Sequence, residues 1–286
     1  MTFQSDVAPL RRVLLKHARD AFVSPESVAA QWAVLGYLGE PDFDAACRES
    51  DAFAELLESL GVTLEWLPSD GTGMDSIYAR DASIMTDAGP ILCRMGKGAR
   101  AEEPSRHGSV LADLGLPLPR AVVAPGTIEG GDVTWLTPRS LAVGRGYRTN
   151  EDGIEQLRGM LPDVEILRVP LPHWRGPGDV FHMMSVVSPL AEDLLLVRSD
   201  LLPVPFRELL LERGFALVES PGEEFDSQGC NVLAVAPRVA VAVDGNPETR
   251  RRMEAAGVEV HTFVGREISA RGSGGPTCLT RPLERG

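Results

Sequence analysis

The sequence predicts an α/β fold in which one small unit, two strands followed by a helix and a third strand, recurs five times around an axis. Three observations predict it. Five helix-then-strand stretches can be read along the 286 residues. Between them lie apolar pairs broken by one turn. Corresponding points in those pairs, Ile77, Gly130, Val180 and Asn231, are spaced by 53, 50 and 51 residues. A fixed period of this size signals a repeated supersecondary unit. A doubly wound sheet would alternate strand and helix without the hairpin, so it ranks second.

The elements follow in order. PDFDAACRESDAFAELLESLG (41–61) has helical periodicity and early acids, and VTLEWLP (62–68) reads as a strand. The stretch around 104–115 is helix-like and RAVVAPG (120–126) follows it. NEDGIEQLRGMLPD (150–163) places Asn150 at an N-cap, before the strand VEILRVPLP (164–172). VPFRELLLERG (204–214) precedes FALVESPG (215–222). NPETRRRMEAAG (246–257) puts Pro247 in a first turn and Gly257 at a helix end, and VEVHTFVG (258–265) follows. The hairpins are 76–96, 131–146, 179–199 and 231–245, each interrupted by a turn holding Gly, Pro or Asp. Five such units close as a ring. No low-complexity linker interrupts them, so one domain spanning 1–286 is expected.

Composition narrows the function. There are 28 basic and 41 acidic residues, a net charge of −13, so nucleic acid and anionic membrane are not expected as partners. A soluble acidic surface explains such a charge as readily as a cationic substrate does. With 43% apolar residues the chain is of globular type. Cys47, Cys93, Cys230 and Cys278 are widely spaced and form no CxxC pair, which argues against a disulfide scaffold or structural zinc. No apolar stretch nears the ~18 residues of a membrane span. The first twenty residues lack the pattern of a cleavable leader, so a cytoplasmic protein is expected. Only Lys16 and Lys97 are lysines, which leaves few candidates for Schiff-base chemistry.

Four places break the apolar pattern. Asp75 and Asp81 bracket a predicted strand in DSIYARD. Glu129 and Asp132 flank two glycines in EGGDV, where the backbone can approach something closely. His182 stands inside the apolar run VFHMMS. Cys278 follows the glycine-rich GSGGPTC. Singly, each has a bland reading: a turn or cap aspartate, a hydrogen-bonded core histidine, an inert thiol. Three of them fall at equivalent points of successive units, and the cysteine lies where the ring would close. Such a set supports nucleophilic catalysis by a thiolate. Metal binding is the rival. Against it, no two of His17, His107, His173, His182 and His261 have HxxxH spacing. HExxH, GxGxxG, GxxxxGK[ST] and GxSxG are absent as well.

In these motifs, from about residue 10 to the end, the chain resembles the pentein superfamily of guanidine-modifying enzymes, and most of all its dimethylarginine dimethylaminohydrolases. The resemblance implies a five-bladed α/β propeller of ββαβ modules with pseudo-fivefold symmetry. It implies Cys278 as nucleophile, His182 as general acid and base, Glu129 as its carboxylate partner, and Asp81 and Asp75 as ligands of the guanidinium. Arg148, in GYRTN, matches the family's grip on the substrate α-carboxylate, and Arg100 resembles a second such arginine. No cofactor or metal is implied. The expected partner is a small cationic or zwitterionic guanidino compound, and a homodimer is allowed.

Deiminases of the superfamily carry Asp two residues after the histidine. Here that residue is Met184, which leans toward an N-alkylated guanidine. Arg80 beside Asp81 and the ending CLTRPL look more deiminase-like. Arginine deiminase and amidinotransferase are the alternatives within the fold, and a non-enzymatic relative of the same shape is the third.

Overall fold

The computed structural model describes residues 3–178 and 181–286. The reference point Val180 and the first residue of the 179–199 hairpin lie outside the described residues. Among the described residues there are five three-stranded sheets, all with one plan. In the first, β1 (Leu10–Leu15) runs parallel to β2 (Thr63–Trp66) across a crossover containing α1 (Ala18–Phe22), α2 (Pro25–Leu35) and α3 (Phe43–Ser59). The next sheet is the hairpin β3 (Ser83–Ile84) and β4 (Ile91–Leu92), then α4 (Glu103–Asp113), then β5 (Arg120–Ala121) parallel to β4. The third repeats this with β6 (Val133–Thr137), β7 (Ser140–Arg145), α5 (Glu151–Met160) and β8 (Glu165–Pro170). The fourth has β9 (Val187–Ala191), β10 (Leu194–Val197), α6 (Val204–Glu212) and β11 (Ala216–Glu219). The fifth has β12 (Leu233–Ala236), β13 (Val239–Val243), α7 (Pro247–Ala255) and β14 (Glu259–Phe263). After α8 (Pro276–Leu279), β15 (Arg281–Arg285) pairs antiparallel with β1 and completes the first sheet.

Strand alternation joins the sheets into a cycle. In β13, Val241 and Val243 pack with Leu10 and Val13 of the first sheet, while Ala240 and Ala242 pack with Leu194 and Leu196 of the fourth. In β7, Leu141 and Val143 meet Ile84 and Ile91 of the second sheet, whereas Ala142 meets Leu195 of the fourth. Leu14 and Leu283 of the first sheet share a cluster with Met85 and Leu111 of the second unit. Successive side chains of a strand point to opposite faces, so each middle strand serves two neighbours. This explains why those strands read as continuous apolar runs.

The helix and strand assignments hold to within a few residues. Asn150 caps α5, its Oδ1 accepting from Gly153 N at 2.9 Å. Pro247 opens α7, and Gly257 follows it with φ of +80°. Two strand expectations fail. The DSIYARD stretch forms a short 3₁₀ turn, Met74–Ile77, followed by further turn, and the strand starts only at Ser83. His182 precedes another such turn, Met183–Ser185, and β9 starts at Val187. Among the described residues no helix is long and apolar enough to cross a membrane.

Candidate active site

Three of the motif regions hold short 3₁₀ turns, Met74–Ile77, Gly130–Asp132 and Met183–Ser185, and the fourth a single helical turn. Glu129 precedes the 3₁₀ turn Gly130–Asp132, and Cys278 lies in α8. A cavity of about 690 Å³ collects Asp75, Asp81, His182 and Cys278, together with Lys97, Arg100 and Arg148. Glu129 is wholly buried just beneath it.

The imidazole Nε2 of His182 is 2.7 Å from Glu129 Oε2, and its Nδ1 is 3.8 Å from Asp81 Oδ1. Glu129 Oε1 accepts from the backbone N–H groups of Gly96 and Lys97 at 2.9 and 3.0 Å. Arg148 donates to Glu129 Oε2 at 3.0 Å. Burial alone would discharge His182, but Asp81, Asp132 and the bonded Glu129 outweigh it and lift its pKa to about 9. Burial likewise opposes charge on Glu129. The bonded His182, with Arg148 and Arg100 nearby, reverses that and holds its carboxyl well below the usual range.

The glycines of EGGDV have a steric cause. A Cβ on Gly131 would stand 2.6 Å from Asp81 Oδ1 and 2.8 Å from the His182 ring, so only glycine lets the two groups come this close. Gly131 N donates to Asp81 Oδ1 at 3.0 Å. The neighbouring Asp132 lies outside the cavity wall. It accepts from Thr149 Oγ1 at 2.6 Å and from Met183 N at 3.0 Å, which anchors the residue after His182. Burial raises the Asp132 pKa to about 6.

Cys278 is buried, and its thiol is pushed up to about 12 by desolvation and by Asp81. Asn231 opposes this by donating from Nδ2 to Sγ at 3.1 Å. The amide is held by its other end, since Asn231 Oδ1 accepts from the backbone N and the hydroxyl of Thr277. Cys93 and Cys230 are also buried with raised thiol pKa values, but neither lines the cavity.

The cationic residues already hold partners. Arg100 is buried; Nη1 is 2.5 Å from Asp81 Oδ2, and Nε and Nη2 bond Glu103 at 2.9 and 2.8 Å. It therefore braces Asp81 from behind. Lys97 Nζ is 2.6 Å from Asp75 Oδ2 and donates to Leu35 O at 2.7 Å, tying the end of α2 to the cavity. Arg80 turns away into the interior, to Asp6 at 2.6 Å. Met184 is buried and does not line the cavity, so it supplies no apolar contact there.

Asp81, Glu129 and His182 offer ligand atoms within 4.8 Å of one another, a cluster that histidine spacing did not foreshadow. Guanidinium groups already stand on both carboxylates, so a divalent cation there would adjoin two fixed positive charges. Sequence reasoning passed over Lys97 and the contact of Asn231 with sulfur. Lys97 carried a signal, as one of only two lysines. Asn231 carried only its place in the repeat.

The model of the arginine deiminase family matches residues 75–202 and 201–285, most of the length. The chain belongs to the arginine deiminase family. An arginine deiminase of Rhodococcus erythropolis is 30% identical over 247 residues, 73% of this chain and 60% of that protein. The chain thus spans about three fifths of the arginine deiminases it matches. A protein of Aeropyrum pernix, described only as uncharacterized, is 27% identical over 263 residues and is matched over 92% of its length. Among solved structures, DDAH from Pseudomonas aeruginosa, in complex with citrulline, superposes with a TM-score of 0.78 at 22% identity. It covers 96% of this chain and 100% of that one. The N-terminal domain of ArgZ, a cyanobacterial arginine dihydrolase, gives 0.81 at 16% identity over 96% and 97% of the two chains. These likenesses establish that this arginine deiminase family member has the pentein fold, five modules of ββαβ type.

Proposed function

We propose that the chain is a hydrolase that cleaves a guanidino C–N bond of an arginine derivative through a covalent intermediate on Cys278, with the five modules acting as one catalytic domain. One observation carries the reading. Cys278, His182 and Asp81 share a single cavity, with Glu129 bonded to His182 beneath it. Membership of the arginine deiminase family supports it.

A guanidinium carbon is resonance-stabilised and charged at neutral pH. Attack on it requires carboxylates that fix the cation and a thiolate facing the planar carbon. The Cys278 thiol rests neutral, and a bound cation beside it favours the thiolate electrostatically; the thiol proton passes to solvent as the cation binds and is taken up again when the product leaves. Sulfur attacks, the C–S bond forms, and a tetrahedral adduct results. His182, charged in the resting site, gives its proton to the departing nitrogen. The C–N bond breaks, an amine leaves, and an S-alkylthiouronium remains on Cys278. Neutral His182 then takes a proton from water, the oxygen adds to carbon, and the C–S bond breaks. The products are citrulline and the amine. Asp81 and Asp75 hold the guanidinium in this scheme, and Arg148 takes the α-carboxylate. Arg100 acts by fixing Asp81 rather than by touching substrate.

The leaning toward a dimethylarginine-type substrate rests on Met184, where a deiminase would hold its second clamp. The family match favours a second reading, arginine deiminase. Racing dimethylarginine against arginine, with a colour test for ureido products, separates them; clear preference for arginine reverses the leaning. Adding an amine acceptor to the same assay tests for amidino transfer. Ureido product at undiminished rate from Cys278→Ala would overturn the covalent mechanism.

A further inference from the structure

A second cavity of about 160 Å³ adjoins the first. The two share Leu38 and Ser273 in their walls. Three aromatic rings make one side of the second. Trp174 lies 6.2 Å from Phe181 and 5.5 Å from Phe225, and Phe181 lies 5.7 Å from Phe225, all edge-to-face. Such packing holds the rings in one arrangement, and Ser185, Gln228, Asn231 and Ser273 supply a polar remainder of the wall. Arg175, over the Trp174 ring, also pairs with Asp226 at 2.8 Å.

The inner end carries the decisive residues. Asn231 lines this second cavity and bonds Cys278 Sγ. Ser185 lines it too, and its backbone N donates to His182 O at 2.9 Å within one turn. The space therefore opens beside the residue that holds Cys278 Sγ and beside the backbone turn that follows His182. In the proposed mechanism the departing nitrogen stands beside Cys278, so a substituent on it has this space within reach through the shared wall of Leu38 and Ser273. At ~30 Å³ per water molecule, the volume far exceeds what one methyl group fills.

We propose that this aromatic compartment receives the substituent on the departing nitrogen, and that it fits an apolar group larger than methyl, of branched-alkyl or aryl-methyl class. The inference rests on the proposed roles of Cys278 and His182 and adds the substrate class. The amine R–NH₂ leaves with the His182 proton through this compartment, while the ureido product stays in the main cavity.

Binding and turnover are measured separately. Calorimetry on Cys278→Ala compares Nω-benzylarginine with Nω-methylarginine, in that background and with Phe225→Ala added. The benzyl ligand is expected to bind at least as tightly as the methyl one. Phe225→Ala should lower the benzyl-to-methyl affinity ratio tenfold or more. In the parent background, quenching of tryptophan emission by the benzyl ligand should vanish on Trp174→Phe. Benzyl affinity more than tenfold below methyl, or a ratio that Phe225→Ala leaves unchanged, would overturn the compartment's role. Tight benzyl binding without ureido product from the wild-type enzyme would sink the hydrolase reading and leave the compartment standing.

Discussion

His182 Nε2 and Glu129 Oε2 form a 2.7 Å contact with Glu129 wholly buried. The remaining Glu129 oxygen takes two backbone N–H groups, so the carboxylate is fixed as an anion. This pair sets the charge state of the site: an imidazolium above a carboxylate at neutral pH.

Replacing Glu129 by Gln removes that anion and leaves the geometry nearly intact. The His182 pKa should fall from about 9 toward its ordinary 6.5, observable in imidazole resonances. The rate should drop roughly 10²- to 10⁴-fold, with the alkaline limb of kcat moving to lower pH. Linkage gives the stability signs. A raised histidine pKa contributes stability fully present below 6.5 and lost as pH rises through about 9. A depressed carboxyl pKa contributes stability present above 4.5 and lost as pH falls below it. Glu129→Gln should therefore flatten stability against pH at both ends. An unshifted histidine would show that Asp81 and Asp132 alone hold its charge.

The thiol gives a second test. With its pKa near 12, free Cys278 should react with neutral chloroacetamide far more slowly at pH 7.5 than an ordinary thiol of ~8.5. The cationic isostere chloroacetamidine, corrected for its rate with a free thiol, should react at least 100-fold faster, because it brings the charge that favours thiolate. Asn231→Ala removes the donor to sulfur and should slow both reagents. Equal corrected rates for the two reagents would contradict activation by a bound cation.

Much of this arrangement was legible before any coordinates. The repeat period and the hairpin–helix–strand order gave five modules, because each middle strand is buried on both faces and writes an apolar run. The motif residues could be named because charge inside such runs is costly unless it is used. What stayed hidden was non-local. The pairing of β15 with β1 joins the two ends of the described chain, and no local pattern announces it. DSIYARD and VFHMMS read as strands because a short apolar run does not distinguish strand from turn. In the structure Met74–Ile77 and Met183–Ser185 are turns, and Asp81 and His182 stand side by side over Gly131. Arg100 resembles a substrate arginine in the sequence, which shows the cation and not the buried acids that stand beside it.

Arg148 has a role that its partner does not exhaust. It bonds Glu129, lines the cavity, and keeps about a fifth of its side chain exposed. If it takes the α-carboxylate, substrate methyl esters should show kcat/KM at least tenfold below the free acids. Arg148→Ala should shrink that difference to near unity. Esters as good as acids in the wild-type enzyme would assign Arg148 to Glu129 alone.

Arg100 offers the sharpest separation of structure from substrate contact. Its guanidinium is buried between Asp81 and Glu103 and also donates to Tyr78 O at 3.0 Å. Removing one partner of a buried ion pair leaves uncompensated charge, at a cost of about 3–5 kcal/mol. Arg100→Met should lower the urea midpoint accordingly, and Glu103, already raised by burial, should bind a proton more readily still. The double variant Arg100→Met, Glu103→Leu removes one opposed pair and should recover part of the loss, with Asp81 still short of its partner. A substrate-carboxylate role predicts the reverse pattern: little change in stability, and a KM effect confined to free-acid substrates. Urea unfolding of the single and double variants, beside acid and ester kinetics, decides between the two.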